Sequence, residues 1–111
     1  MRATFLIAAL AASFPAVALE QSLEVPSDRK AQYTVLEKGG SGVERTIVTK
    51  RVGSTGTTSY SRRLYNCAEG TVKYLGTGET WEAMENSPAD PDMTPIVPGA
   101  IADYVGQEAC K

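Results

Sequence analysis

The sequence predicts an α+β fold: a small antiparallel β-meander of about four strands with a C-terminal helix packed on the sheet, and one disulfide. Three observations carry this expectation. Alternating, β-branched and aromatic segments at 31–37, 43–52 and 57–67 are separated by Gly-rich turns, as in hairpins. The terminal stretch 101–110 changes to helical spacing, with Ile101, Tyr104, Val105 and Ala109 on one face. Only two cysteines are present, Cys67 closing the third long strand and Cys110 closing the helix.

The chain opens with a segment to be set apart from the fold. Residues 1–18 combine a basic start at Arg2, an apolar run from Thr4 to Ala12, and small residues at Ala16 and Ala18. This is the pattern of a signal peptide cleaved after Ala18. The apolar run is shorter than the roughly 20 residues of a bilayer span. Pro15 interrupts its end, and no cysteine lies near the cleavage point to carry a lipid. The expectation is an exported protein, periplasmic or secreted, with no stable membrane anchor after cleavage.

Cleavage leaves 93 residues, from Leu19 to Lys111, enough for one domain. A chain of this size buries a modest core and gains from a covalent staple. With no histidine in the sequence, two cysteines in an oxidising compartment read as a disulfide rather than a metal site. Linking Cys67 to Cys110 closes a loop of about 44 residues, worth roughly 4 kcal/mol in the chain-entropy model. Without Arg2, ten basic residues face thirteen acidic ones, a net charge of −3. Such a balance points to no nucleic acid and no anionic membrane as partner.

Residues 19–30 mix polar side chains around Pro26 without a sustained period and read as a flexible N-terminal arm, with room for a short edge strand at 22–25. The single α+β domain is expected over 31–111. Tyr33 and Val35 face one way in the first strand, and Lys38 to Gly42 turns the chain. Val43 to Val52 then alternates with mixed character on both sides, suggesting one partly wet face. After the turn at 53–56, the third strand sets Tyr60, Arg62 and Leu64 on one face and Ser61, Arg63, Tyr65 and Cys67 on the other. A short fourth strand follows at 71–75. Residues 79–86 fit a short helix with Thr80 as N-cap, and residues 80–84 fit an edge strand equally well. Pro88, Pro91 and Pro95 make 87–95 a loop. Pro98 suits a helix start, and Gly106 invites close backbone contact with the sheet.

Chemistry is thinly represented. Without histidine, no Ser-His or Cys-His pair exists. Glu79, Glu82, Glu85, Asp90 and Asp92 supply carboxylates for a glycosidase-type pair, but in this setting they read as a solvated surface. Residues 90–94 place oxygens at alternate positions yet lack the glycine and glutamate of a calcium loop. Lys50-Arg51 and Arg62-Arg63 sit on neighbouring strands, but adjacent strand residues point to opposite faces, so each pair is expected to split and to meet surface glutamates. Tyr65 and Tyr104 read as core. Tyr60, Tyr74 and Trp81 are open between core and binding anchors.

The segment 59–110 resembles the small exported domains grouped with bacterial surface-adhesin protein E. The resemblance rests on Tyr65-Asn66-Cys67 at a strand end, the tryptophan Trp81, the step Pro98-Gly99-Ala100 into a helix, and the final cysteine, Cys110. It implies an antiparallel sheet backed by a C-terminal helix with Cys67 bridged to Cys110. Ala100 stands where serine is common, and the proline-rich stretch 87–95 intervenes between tryptophan and helix. The expected function is that of a non-enzymatic, adhesin-like protein-binding module without cofactor, its partner unidentified. The alternative is an inhibitor of a periplasmic or host hydrolase, inserting a rigid loop such as 87–95.

Overall fold

The computed structural model describes residues 17–111. The signal-peptide assignment thus lies outside the described residues, except for Val17 and Ala18, which open the first strand. Six strands are present: β1 (Val17–Leu23), β2 (Gln32–Ser41), β3 (Glu44–Val52), β4 (Thr58–Asn66), β5 (Thr71–Gly78) and β6 (Thr94–Pro95). Helices α1 (Trp81–Asn86) and α2 (Ile101–Ala109) complete the fold, with a 3-10 turn at Pro26–Asp28. Every strand pairs antiparallel with its neighbour in sequence, giving one sheet in the order β1-β2-β3-β4-β5-β6.

The expected α+β meander with a C-terminal helix is therefore present, with six strands in place of about four. Both additional strands lie at the sheet edges. β1 occupies part of the stretch read as a flexible arm and takes in the first half of the edge strand expected at 22–25; Val17, Ala18, Glu20, Gln21 and Ser22 are exposed, and Leu19 and Leu23 pack onto the core. Its backbone pairs Gln21, Ser22 and Leu23 with Val35, Thr34 and Tyr33, so the ladder itself, more than an apolar alternation, defines the strand. β6 is two residues long and ends on Pro95, a residue that sheets accept at an edge.

Three register shifts decide which side chains share a face, one in β1 between Ala18 and Gln21 and the others in β2 and β5. In β2 the register shifts at Leu36: Val35 pairs with Thr49, but Glu37 pairs with Val48 and Lys38 with Ile47. In β5 it shifts at Leu75: Tyr74 pairs with Arg63, but Gly76 pairs with Arg62. Each bulge reverses the facing of everything beyond it. Lys38 is thereby turned to the α2 side and Glu37 to the opposite side, and Gly76 and Gly78 oppose Arg62 and Tyr60, away from Tyr74.

The core lies between the sheet and α2. Val35, Ile47 and Tyr65 meet Val105 and Ala109, flanked by Leu19, Leu23, Val72, Ile96 and Ile101. The Tyr65 hydroxyl donates to the Ala102 carbonyl at 2.7 Å, and a Cβ on Gly106 would lie 2.6 Å from the Tyr65 ring. Gly106 is thus the point at which helix backbone rests directly on an aromatic face, the close contact its sequence position invites. Cys67 and Cys110 form the disulfide, Cα atoms 5.8 Å apart, across 43 residues of sequence. Ile101, Val105 and Ala109 make the inward stripe, while Tyr104 is only half-buried and stands outside the core cluster. The buried polar member of the helix is Glu108, contacted by Lys38 Nζ at 3.2 Å, Lys111 Nζ at 3.1 Å and Gln21 Nε2 at 3.3 Å.

Candidate functional site

The other side of the sheet is organised by α1. The ambiguous segment 79–86 is helical from Trp81, and Thr80 caps it, its Oγ1 accepting from the Ala83 amide at 3.0 Å. Space for the helix comes from β5, which runs on past the expected 71–75 to Gly78. A Cβ on Gly76 would run into the Met84 carbonyl, and one on Gly78 would lie 2.6 Å from the Ala83 Cβ. Helix and strand therefore touch backbone to backbone, and Met84 is buried between them.

This docking places Trp81 beside the sheet's central strand. Its ring meets Tyr60 edge-on at 6.1 Å between centroids and 79° between planes. The Arg62 guanidinium stands 5.7 Å over the same ring, and Arg62 Nη2 lies 3.8 Å from Glu37 Oε1. Glu37 and Arg62 both flank Val48 in register, which accounts for the burial of Val48 on a face without a covering helix at that point. Glu20, Ser22, Thr34, Leu36, Lys50 and Tyr60 border a shallow depression of about 390 Å³ across β1 to β4. Thr34, Leu36, Lys50, Tyr60 and Arg62 are all half-buried. The arrangement offers a broad, mixed polar and aromatic surface.

Of the residues singled out in the sequence, the two basic pairs split across the sheet as alternation requires. Lys50 and Arg62 are on the α1 side, Arg51 and Arg63 on the α2 side. Arg51 donates to Asp28 at 2.8 and 3.3 Å, and the Tyr33 hydroxyl donates to Asp28 at 2.8 Å, which clamps the 3-10 turn onto the sheet. The Arg51 bond, then that of Tyr33, holds the Asp28 carboxyl below its ordinary value. Burial, and then the Asp28 carboxylate, pushes the Tyr33 phenol up to about 12.

Arg63 departs from the expected surface charge paired with glutamate. It is only 5 % exposed. Its Nη1 donates to Thr49 Oγ1 and its Nη2 to Tyr74 Oη, both at 3.1 Å, and its guanidinium lies 4.8 Å from the Tyr74 ring centroid. Its Nε is buried without a hydrogen-bond partner, and no ion pair among the described residues includes Arg63. The alternation that puts Ser61, Arg63 and Tyr65 on one face was the available signal, since Tyr65 is a core residue.

Tyr60 and Trp81 come together, whereas Tyr74 lies on the opposite face and is 39 % exposed. Glu79, Glu82, Glu85, Asp90 and Asp92 are all exposed, and no cluster of three or more Asp, Glu, Cys or His side chains suited to a metal ion occurs among the described residues. Among the described residues, no helix is long and apolar enough to cross a membrane. Comparison with known families finds no matching family model, and comparisons with curated proteins and with solved structures find no match.

Proposed function

We propose that this chain is an exported, non-enzymatic protein-binding module that presents the α1 side of its sheet to a protein partner. One observation carries the reading: Tyr60, Arg62 and Trp81 are locked against one another at the border of an uncovered, half-exposed sheet surface. These are the residue types that anchor protein interfaces. Holding them in one geometry before binding lowers the ordering cost of association. Export is supported by the leader pattern at 1–18 and by a disulfide, a bond that persists in oxidising compartments. The resemblance to surface-adhesin protein E leads to the same class by fold analogy.

The inhibitor alternative asks for a projecting rigid loop. Residues 87–95 instead run along the edge of β5: the Asp90 amide donates to the Tyr74 carbonyl at 2.9 Å, and Thr94 and Pro95 pair with Val72 and Thr71. The sheet surface is the better-supported contact.

The test is affinity capture from envelope extract with the oxidised wild-type protein and with Tyr60→Ala and Trp81→Ala. The expected result is a saturable partner retained by wild type and lost by both variants. Capture that both variants retain places the contact elsewhere, and a captured hydrolase whose activity falls on binding supports the inhibitor reading instead.

A further inference from the structure

Beside Arg63 lies a second cavity, of about 230 Å³, on the α2 side of the sheet and separate from the surface described above. It is lined chiefly by Arg63, Val72, Tyr74, Ile96, Val97 and Ala102. We propose that it binds a small ligand bearing a single carboxylate on a short apolar body.

The charge of Arg63 is uncompensated. A guanidinium carries five donors and stays ionised, and burying an ion without a counter-charge is costly. All thirteen Asp and Glu of the chain fall between Glu20 and Glu108, among the described residues, and none pairs with Arg63. Its two hydrogen bonds go to the hydroxyls of Thr49 and Tyr74, which are neutral. Each hydroxyl accepts from Arg63 and so keeps its own proton to donate. For the half-exposed Tyr74, that proton is available to an acceptor in the cavity.

The rest of the wall is mostly apolar, from Val72, Pro95, Ile96, Val97 and Ala102, with Lys73, Asp90, Thr94 and the first turn of α2 as its polar parts. Ala100 caps that helix without a side-chain bond, and Asp103, its first-turn acid, is engaged by the Gly99 amide at 2.8 Å. The partial positive charge of the helix start is already met by Asp103, so attraction for an anion comes from Arg63 and the Tyr74 hydroxyl. The polar groups thus favour an anion and the walls favour carbon. Lys73 and Asp90, both lining the cavity, bring opposite charges, so a second ligand charge finds little support. The volume is below the roughly 300–1,000 Å³ of drug-sized sites, which limits the ligand to a few carbons.

The experiment is a two-dimensional amide NMR titration of the oxidised protein with butanoate, with butanamide and sodium chloride as controls. Butanoate is expected to shift the Tyr74, Val97 and Ala102 resonances saturably, and neither control to do so. A parallel arm with N-acetylvaline distinguishes a free short acid from a peptide C terminus, the tighter binder naming the source. Because Arg63→Met risks the fold, two surface variants test the site. Val97→Trp, at a position 65 % exposed, is expected to abolish the shifts with the rest of the spectrum intact. Asp90→Ala is expected to tighten binding about two- to five-fold by removing a like charge. Equal shifts with butanamide, none with butanoate, an unaffected Val97→Trp, or weaker binding by Asp90→Ala overturns the proposal.

Discussion

On the α2 side of the sheet, Val35, Ile47 and Tyr65 are sealed beneath a helix that a disulfide holds in place. On the α1 side, Leu36, Lys50, Tyr60 and Arg62 of the same strands stay half-exposed, and only the side chains of Val48 and Met84 are buried there among the described residues. One set of backbones therefore supports two surfaces of opposite character, because successive strand residues face opposite ways. Stability is concentrated on one surface, and the other is left available for contact.

The sharpest way to break this contrast is to truncate matched aromatics. Tyr65→Ala empties the core and removes a hydrogen bond to α2, with an expected loss of about 5 kcal/mol in urea denaturation. A loss of under about 1 kcal/mol would mean that the sealed side does not carry the fold. Next in size is the covalent tie. Replacing Cys67 and Cys110 together by alanine is expected to cost roughly 4 kcal/mol, and in hydrogen exchange the amides of α2 should lose protection before those of β3. Gly106→Val then tests the close approach. A side chain at a point 2.6 Å from the Tyr65 ring forces helix and sheet apart, at about 2 kcal/mol, seen as a lowered thermal midpoint.

Acid probes the polar end of the same interface. Burial alone pushes the Glu108 carboxyl up, but the bonds from Lys111 and Lys38 outweigh it and hold it below its ordinary 4.5. A carboxyl depressed in the folded state contributes stability that is complete above pH 4.5 and lost as pH falls through its lower folded value. Urea midpoints measured from pH 7 to pH 3 should therefore drop at the acid end. Asp28 and Asp103, also depressed, act with the same sign. Lys38→Met isolates Glu108 by flattening the drop; an unchanged acid profile in that variant would remove the ion pair from the account. The smallest effect is expected on the open side. Tyr60→Ala should cost less than about 1 kcal/mol while abolishing partner capture, and a core-sized loss there would erase the distinction between the faces.

Much of the sealed side is legible in the sequence. The period of two selects Val35, Ile47 and Tyr65, the helical period selects Ile101, Val105 and Ala109, and the cysteine positions join them. The bulges at Leu36 and Leu75 are not legible, because a register shift is a property of two paired strands and neither strand alone carries a signal for it. Without the first bulge, Glu37 rather than Lys38 would face Glu108. β1 is legible only as a possible short edge strand at 22–25, because VALEQSL has no clean alternation, whereas the ladder spans Val17–Leu23. The choice of helix for 81–86 rested on Gly76 and Gly78, which read as turn residues and serve instead as a seat for α1. Arg63 was visible as an inward position beside Tyr65, yet its charge argued for the surface. That conflict between position and residue type now marks the carboxylate site proposed above.

The proposed protein contact on the open side can be tested in the cell. Site-directed photocrosslinking tests it most directly, with benzoylphenylalanine in place of Thr34 on the α1 side or of the exposed Thr77 on the α2 side. The prediction is a discrete protein adduct from position 34 in the exporting cell and none from position 77. No adduct at position 34, or equal adducts at both, would contradict it.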